Sequence, residues 1–301
     1  MTVMQTGALQ MPPVLAKKLI TDVKTKSTVA ALAAKEPKLF GADEKYIQFT
    51  SKPRAQFVEE GQAKVSSTPA LGSFQSATHV AQVTMRTSNQ VKWADEDYKL
   101  GIFTELAALG AEAIARALDL GLYHRVNPLT GTVINGWTNW LTSSTNRVPI
   151  PSTNPGNDRL IEAAVGILIG TDVQPNAVAF TPDFAYALST LRDTLGRKLY
   201  PELGYGLDIS SFDGLKASSS TTVSGVPEVG DTGVRAIVGD YANGIFWGLA
   251  KDLPIETIEY GDPDGQGDLK AKNEVALRLE VAYTWYVRPE RFAVIETGSE
   301  D

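Results

Sequence analysis

Two histidines, no cysteine and one alternating acidic stretch are the main chemical resources of this chain. His79 and His124 fall on different predicted elements, so the sequence does not spell out a paired-imidazole metal site. The absence of cysteine removes thiolate catalysis, thiolate metal ligation and any disulfide framework. Asp262, Asp264, Gln266 and Asp268 alternate in a glycine-rich stretch and superficially follow a calcium loop. Gln266 departs from the usual Asp or Asn, however, and the twelfth position falls on Asn273 where a bidentate Glu belongs. The expectation is a solvated hairpin loop, with a weak calcium site as the sharper alternative. No nucleophile elbow, Walker sequence or dinucleotide fingerprint is present. An enzyme would have to use the loop at 208–213 or that at 262–268, and neither offers a convergent base and nucleophile. No catalytic residue, cofactor or metal ligand is therefore expected.

The elements around these residues are more informative. Residues 55–92 form a long polar excursion, and residues 95–123 then form one helix. Residues 46–50 and 55–58 are short strand-like runs. Glu59, Glu60 and Gly61 turn the chain into a Gln, Ser, Thr, Pro and Gly stretch with almost no large apolar residue before Phe74. From His79 onward Ala81, Val83 and Met85 alternate with Gln82, Thr84 and Arg86, which is strand periodicity. The pattern predicts a wide two-stranded hairpin with its tip at 62–72. Such a hairpin is at best marginally stable alone, so its support must come from another surface.

In the helix, Ile102, Leu106, Leu109, Ala113, Ala117 and Leu120 form a stripe widened by Phe103, Ala107, Ile114 and Leu118. Asp95, Glu96 and Asp97 place negative charge at its amino end. Glu105, Glu112, Arg116 and Asp119 are assigned to the exposed face, with Glu112 and Arg116 at i,i+4 spacing. Gly110 costs a helix ~1 kcal/mol relative to Ala, which predicts close packing there.

The chain has 301 residues, is 43% hydrophobic and carries a formal charge of −7. That allows one large domain or two ordinary ones and argues against a strongly basic nucleic-acid binder. There is no basic leader followed by an apolar stretch and no run approaching the roughly 20 apolar residues that cross a bilayer. Residues 1–45, with Pro12 and Pro13, read as an arm. Residues 127–154 read as loop with short strands anchored by Trp137, Trp140 and Leu141. A helix at 158–169, a strand at 177–180 and a helix from Pro182 capped by Thr181 follow. Strands are expected at 215–218 and at 234–238, the latter continued in the same sheet by 244–249, and another at 255–260. The last long strand, 275–287, puts Val275, Leu277, Leu279, Val281, Tyr283, Trp285 and Val287 on one face. After Pro289, residues 291–295 return to the sheet of that strand. The class is α+β.

The order of these elements carries a resemblance. Phe57 and Glu60-Gly61 lie before the hairpin tip, and a returning strand leads into the long helix. Later, Gly239-Asp240-Tyr241 leads through Gly244-Ile245 to a long strand and Arg288-Pro289-Glu290. This order resembles the major capsid protein of tailed bacteriophages, the Hong-Kong-97-type shell fold shared with encapsulins. The resemblance implies an arm at 1–45, an extended loop with flanking peripheral strands at 46–94 and a spine helix with peripheral domain at 95–155. It further implies an axial domain at 156–250, and peripheral strands with a tail at 251–301. Phe57, Glu60, Gly61, Lys64 and Phe74 become candidate assembly residues, with Lys64 where some members carry a crosslinking lysine. Ile102, Leu106 and Leu109 mark the spine. The implied assembly is a homo-oligomer of pentamers and hexamers enclosing double-stranded DNA, with no membrane role. It would be built in the host cytoplasm and reside in the virion. No long helical region precedes the arm, so a separate scaffolding protein and a portal are the expected partners, and non-covalent shells are expected.

Overall fold

A 29-residue helix lying across a 14-residue strand organises half of the molecule. The computed structural model describes residues 27–33, 45–49, 53–75, 77–90, 96–153, 156–204, 209–249 and 255–298. Residues 1–26 and 34–44 of the expected arm, and Asp95 at the expected start of the long helix, lie outside these residues.

The helix, α2 (Glu96–His124), follows a short α1 (Thr28–Leu32). Beneath α2, β11 (Glu274–Val287) pairs antiparallel with β3 (Ala77–Ser88), β10 (Ile255–Ile258) and β9 (Ile245–Leu249). The face of β11 that alternation picked out, from Val275 to Val287, is buried throughout. The helix comes down close to this face. A Cβ on Gly110 would meet the Leu279 methyls at 3.0 Å, and one on Gly121 would meet the Trp285 ring at 3.0 Å. The Tyr283 hydroxyl donates to the Ile114 carbonyl at 3.1 Å, tying strand to helix.

The buried stripe of α2 matches the expected one at Ala107, Ile114, Leu118 and Leu120 and departs from it elsewhere. Ala107, Ala111, Ile114, Ala115, Leu118 and Leu122 face the core, while Leu109 is 56% exposed and Asp119 is fully buried. Between Ala111 and Tyr123 the helix is apolar around most of its circumference, so periodicity could not select a face. Small alanines settled it, because they let the helix approach the sheet. Arg116 reaches across to Glu228, with Nη2 at 2.6 Å from Oε2, and to the Val226 carbonyl at 3.0 Å. Glu112 adds a longer-range attraction.

The second sheet has the order β4-β12-β8-β5-β7-β6. Its strands are β4 (Asn146–Ile150), β5 (Ala177–Phe180), β6 (Ser211–Phe212), β7 (Leu215–Ser219), β8 (Val234–Gly239) and β12 (Phe292–Thr297). Helices α3 (Asn157–Gly170) and α4 (Pro182–Ser189) cover one face, and α4 is capped by Thr181 with Pro182 in its first turn. Val178, Phe180, Ala236, Val238, Ala293 and Ile295 point into that layer. Ala177, Ala179, Ile237 and Val294 point the other way, into the core shared with α2 and β11. Burial on both faces explains why these strands are continuous apolar runs.

Two strand assignments change. Residues 245–249 leave the sheet of β8 for β11, and residues 292–297 join β8 and β4 instead of returning to β11. The turn α5 (Tyr241–Gly244), capped by the Asp240 side chain, carries the chain between the sheets. Gly239 and Gly244 flank Phe292 so closely that a Cβ on Gly239 would lie 2.7 Å from the Arg291 carbonyl oxygen.

The hairpin is also rearranged. Its strands are β1 (Lys45–Phe49) and β2 (Leu71–Gln75), which pair with each other in a separate two-stranded ribbon. Residues 46–49 therefore pair within that ribbon and not with β11, and the returning strand begins at Leu71. Residues 55–58 form no strand. The reversal falls at Glu60-Gly61, earlier than the expected tip, with the Gln62 N–H donating to the Glu59 carbonyl at 3.1 Å and Gly61 at φ 82°.

Candidate assembly surface

Every residue from 53 to 68 is exposed. Phe57 is as accessible as in a free chain, at 105%, and Val65 is 73% exposed. A cross-loop hydrogen bond, from the Arg54 N–H to Ser67 Oγ at 2.9 Å, links the two limbs of this loop. Glu60 and Gly61 make the reversal, Lys64 is exposed just beyond it, and Phe74 lies in register with Tyr46 on the ribbon. Burying a phenylalanine side chain is worth ~1.5–3 kcal/mol, and nothing in the described chain takes Phe57. Ile102 and Leu106 are half-buried on α2 with Leu109 exposed beside them. Leu129 and Tyr260 add further exposed apolar surface.

Asp119 ties the amino-terminal segment to the body. Its carboxylate accepts from Ser27 Oγ at 2.5 Å, the Thr28 N–H at 2.9 Å, Thr28 Oγ1 at 2.8 Å, the Val29 N–H at 3.2 Å and Thr222 Oγ1 at 2.9 Å. These are the open amides at the start of α1 and the hydroxyls around them, so a side chain from α2 acts as a cap in trans. Ser27 Oγ accepts from the Ala30 N–H, which leaves its proton for Asp119. Tyr123 completes the chain of bonds, its hydroxyl 2.9 Å from Thr28 Oγ1. Burial pushes the Asp119 carboxyl above its ordinary value, and the hydrogen bonds from Ser27, Thr28 and Thr222 oppose that shift.

The two histidines are structural. His79 lies between Trp137 and Trp285, with ring centroids at 3.9 and 4.3 Å, and burial lowers its pKa to about 4. His124 is buried with Nε2 at 2.9 Å from the Val223 carbonyl oxygen, and burial lowers its pKa too. An unfolded histidine takes a proton near pH 6.5, whereas folded His79 resists until about 4. Stability should therefore fall as pH drops through that window. Urea midpoints read by tryptophan fluorescence at pH 7 and 5 are expected to show the fall. His79→Gln should flatten it, leaving the His124 share; an unchanged slope would count against this origin.

The acidic loop is filled from within. The Arg86 guanidinium meets Asp264 (Nε–Oδ2 2.8 Å), Asp262 (3.1 Å), Glu274 (3.0 Å) and the Gly267 carbonyl (3.0 Å). Asp268 accepts from the Ala271 N–H at 2.9 Å. An arginine thus supplies the positive charge that a calcium ion would have brought, and it pulls the Asp264 carboxyl below its ordinary value. Among the described residues no cluster of three or more His, Cys, Asp or Glu is placed to hold a metal. Nor is any described helix long and apolar enough to cross a membrane. Sequence reasoning found the loop and the long helix but missed Asp119 and Arg86, whose partners are distant in the chain.

An exposed loop on a separate ribbon, an amino segment held by one buried carboxylate and an apolar fringe left open among the described residues define a structural subunit whose surface is built for neighbours. The phage capsid family model matches residues 7–286, and the chain belongs to that family. A solved chain of Mycobacterium phage Ogopogo is 40% identical, with TM-score 0.82, covering 91% of this chain and 92% of that one. A chain of Gordonia phage Cozz is 29% identical, with TM-score 0.77, covering 91% and 87%. The capsid of an empty GTA particle computed with C5 symmetry shares the fold at 16% identity and TM-score 0.61, covering 91% and 90%. No curated protein sequence matches. As a phage capsid protein the chain forms shells, and its place is the virion.

Proposed function

We propose that the chain is a major capsid protein of the Hong-Kong-97 type, assembling through pentamers and hexamers into an icosahedral head that encloses double-stranded DNA. The observation that carries this reading is the loop at 53–68, wholly exposed on a ribbon with no core of its own. In a shell the missing core is a neighbouring subunit, and repeating that contact under symmetry closes the assembly.

In this reading residues 1–45 are the arm and residues 46–94 the extended loop with its flanking strands. α2 is the spine within 95–155, 156–250 is the axial domain, and 251–301 supplies peripheral strands and a tail. The arm reaches a neighbour from the point where Asp119 holds α1. Phe57, Glu60, Gly61, Lys64 and Phe74 contribute to the loop contact, and Ile102, Leu106 and Leu109 to the spine. Assembly takes place in the host cytoplasm with a scaffolding protein and a portal, and the subunits hold without covalent welding. The protein has no enzymatic activity. A net charge of −7 suits a container that confines polyanionic cargo without gripping it.

Imaging of the purified chain by electron microscopy tests the proposal. Closed particles of megadalton mass with five-fold vertices are expected, and a monodisperse monomer at high concentration would overturn it. A nanocompartment shell carrying an enzyme is the second reading, and protein cargo without DNA in native particles would favour it. Multimers that survive boiling in detergent would point to Lys64 as a weld.

A further inference from the structure

One groove and one loop of the second sheet's layer have complementary surfaces and do not meet within the chain. The groove, of about 540 Å³, runs between α3 and the β6–β7 edge. Ile161, Val165 and Phe212 contribute its apolar floor, and Asp158, Glu162 and Asp213 its rim. No Lys or Arg lines it. Among the described residues no ion pair meets any of these three carboxylates. Their field converges on Tyr200 in the groove wall, whose hydroxyl is pushed above its ordinary value first by burial and then by Asp158, Asp213 and Glu162.

The loop lies between α4 and the turn at Pro201–Leu203. Asp193 Oδ1 accepts from the N–H groups of Leu195 (2.9 Å) and Arg197 (2.8 Å), and Arg192 and Lys198 bridge below. The loop is therefore set in shape before it binds anything, which lowers the entropy cost of docking. At its end Leu195 is 74% exposed, and Arg192 and Arg197 are exposed on either side of it. None of these three side chains lines the groove of its own chain.

We infer that the loop around Leu195 of one copy seats in the acidic groove of the next, with Leu195 over the floor and Arg197 against the carboxylate rim. The occupant is a second copy of this chain because this loop carries both components the groove lacks, an apolar tip and, in Arg197, a positive charge that no described residue meets, Arg192 being turned to the Gly196 carbonyl at 2.8 Å. Patch and groove are different surfaces, so the contact is head-to-tail and generates a ring when the rotation closes. This rests on the shell reading and assigns to it the contact that builds each ring. It also predicts salt sensitivity, since rim-exposed charges are screened over about 8–10 Å at physiological ionic strength.

The absence of cysteine makes a crosslinking test clean. Leu195→Cys and Ile169→Cys are introduced together in the full chain, Ile169 being a 61% exposed residue that lines the groove. The purified protein is oxidised at high concentration, run on a non-reducing gel and imaged in parallel. A ladder of covalent multimers reaching a closed ring is expected. Dimers alone, a disulfide within one chain, or no disulfide would each overturn the docking. A ladder without particles would support the groove contact and sink the shell reading. Particles without a ladder would do the reverse, and neither product would sink both. Arg197→Glu should raise the concentration needed for assembly about tenfold, the equivalent of ~1.4 kcal/mol per contact. Adding Glu162→Arg in the same chain should recover most of it. Assembly by Arg197→Glu at the wild-type concentration would also overturn the docking.

Discussion

Replacing Asp119 with alanine is expected to destabilise the subunit by about 3–5 kcal/mol, a large part of the roughly 5–15 kcal/mol that holds a domain together. The carboxylate is fully buried and accepts from two backbone N–H groups and three hydroxyls. The hydroxyls can rotate to other acceptors, but the amides of Thr28 and Val29 cannot, and each is left unmet in a site closed to water. Asp119→Asn keeps the shape and one acceptor while aiming an amide N–H₂ at existing donors, so it should lie between wild type and alanine. The pH dependence has a definite sign. Burial raises the carboxyl's pKa above its unfolded value, so its stabilising contribution is full below the ordinary carboxylate range and declines as pH rises through the raised value. The deficit of Asp119→Asn should accordingly be larger near pH 4 than at pH 7. Urea unfolding of unassembled subunits at both pH values measures it. A loss under 1 kcal/mol for Asp119→Ala would show that the amino segment is not held through this residue.

Replacing residues 53–68 with an Asn-Gly turn is expected to abolish shells while leaving the subunit folded. The loop contributes no residue to either core, so the unfolding midpoint should move by no more than about 0.5 kcal/mol. The replacement starts after β1 and ends before β2, because cutting into Leu71 or Gly72 would damage the ribbon itself. Phe57→Ala is the milder version. If Phe57 is the anchor of the loop contact, its truncation should cost ~2 kcal/mol or more per interface. Electron microscopy and sedimentation read the outcome, and intact particles from the loop replacement would remove the loop from the assembly mechanism.

Where one strong local pattern dominated, the sequence could be read directly. The alternation from Val275 to Val287 fixed β11 and its buried face, and Thr181-Pro182 fixed the start of α4. α2 was found to within a residue at each end. Its face was read only in part, at Ala107, Ile114, Leu118 and Leu120, because Ala111 to Tyr123 offers apolar side chains in nearly every direction and the sheet beneath chose among them. Partner selection was equally hidden. Residues 245–249 and 292–297 have the composition of strands in either sheet, and only the turn at Asp240 and the contact of Gly239 with Phe292 show where the chain crosses. β2 was obscured because Leu71–Gln75 contains Gly, Ser and Gln and gains its partner only from β1. Of the candidate surface, the exposed loop was visible as polarity without a core. Asp119 looked like a surface charge because no local signal marks a carboxylate whose donors lie some 90 residues upstream and 103 residues downstream.

The position of β12 affects when a subunit can become competent. It follows every other described strand yet lies between β4 and β8. Until residues 292–297 have been translated, β8 has an open edge and the two cores that share the sheet are incomplete. Domains generally fold as units during synthesis, amino end first. This one must wait for β12, so the threading of the sheet keeps both cores, and any surface built on them, unfinished until residues 292–297 are in place.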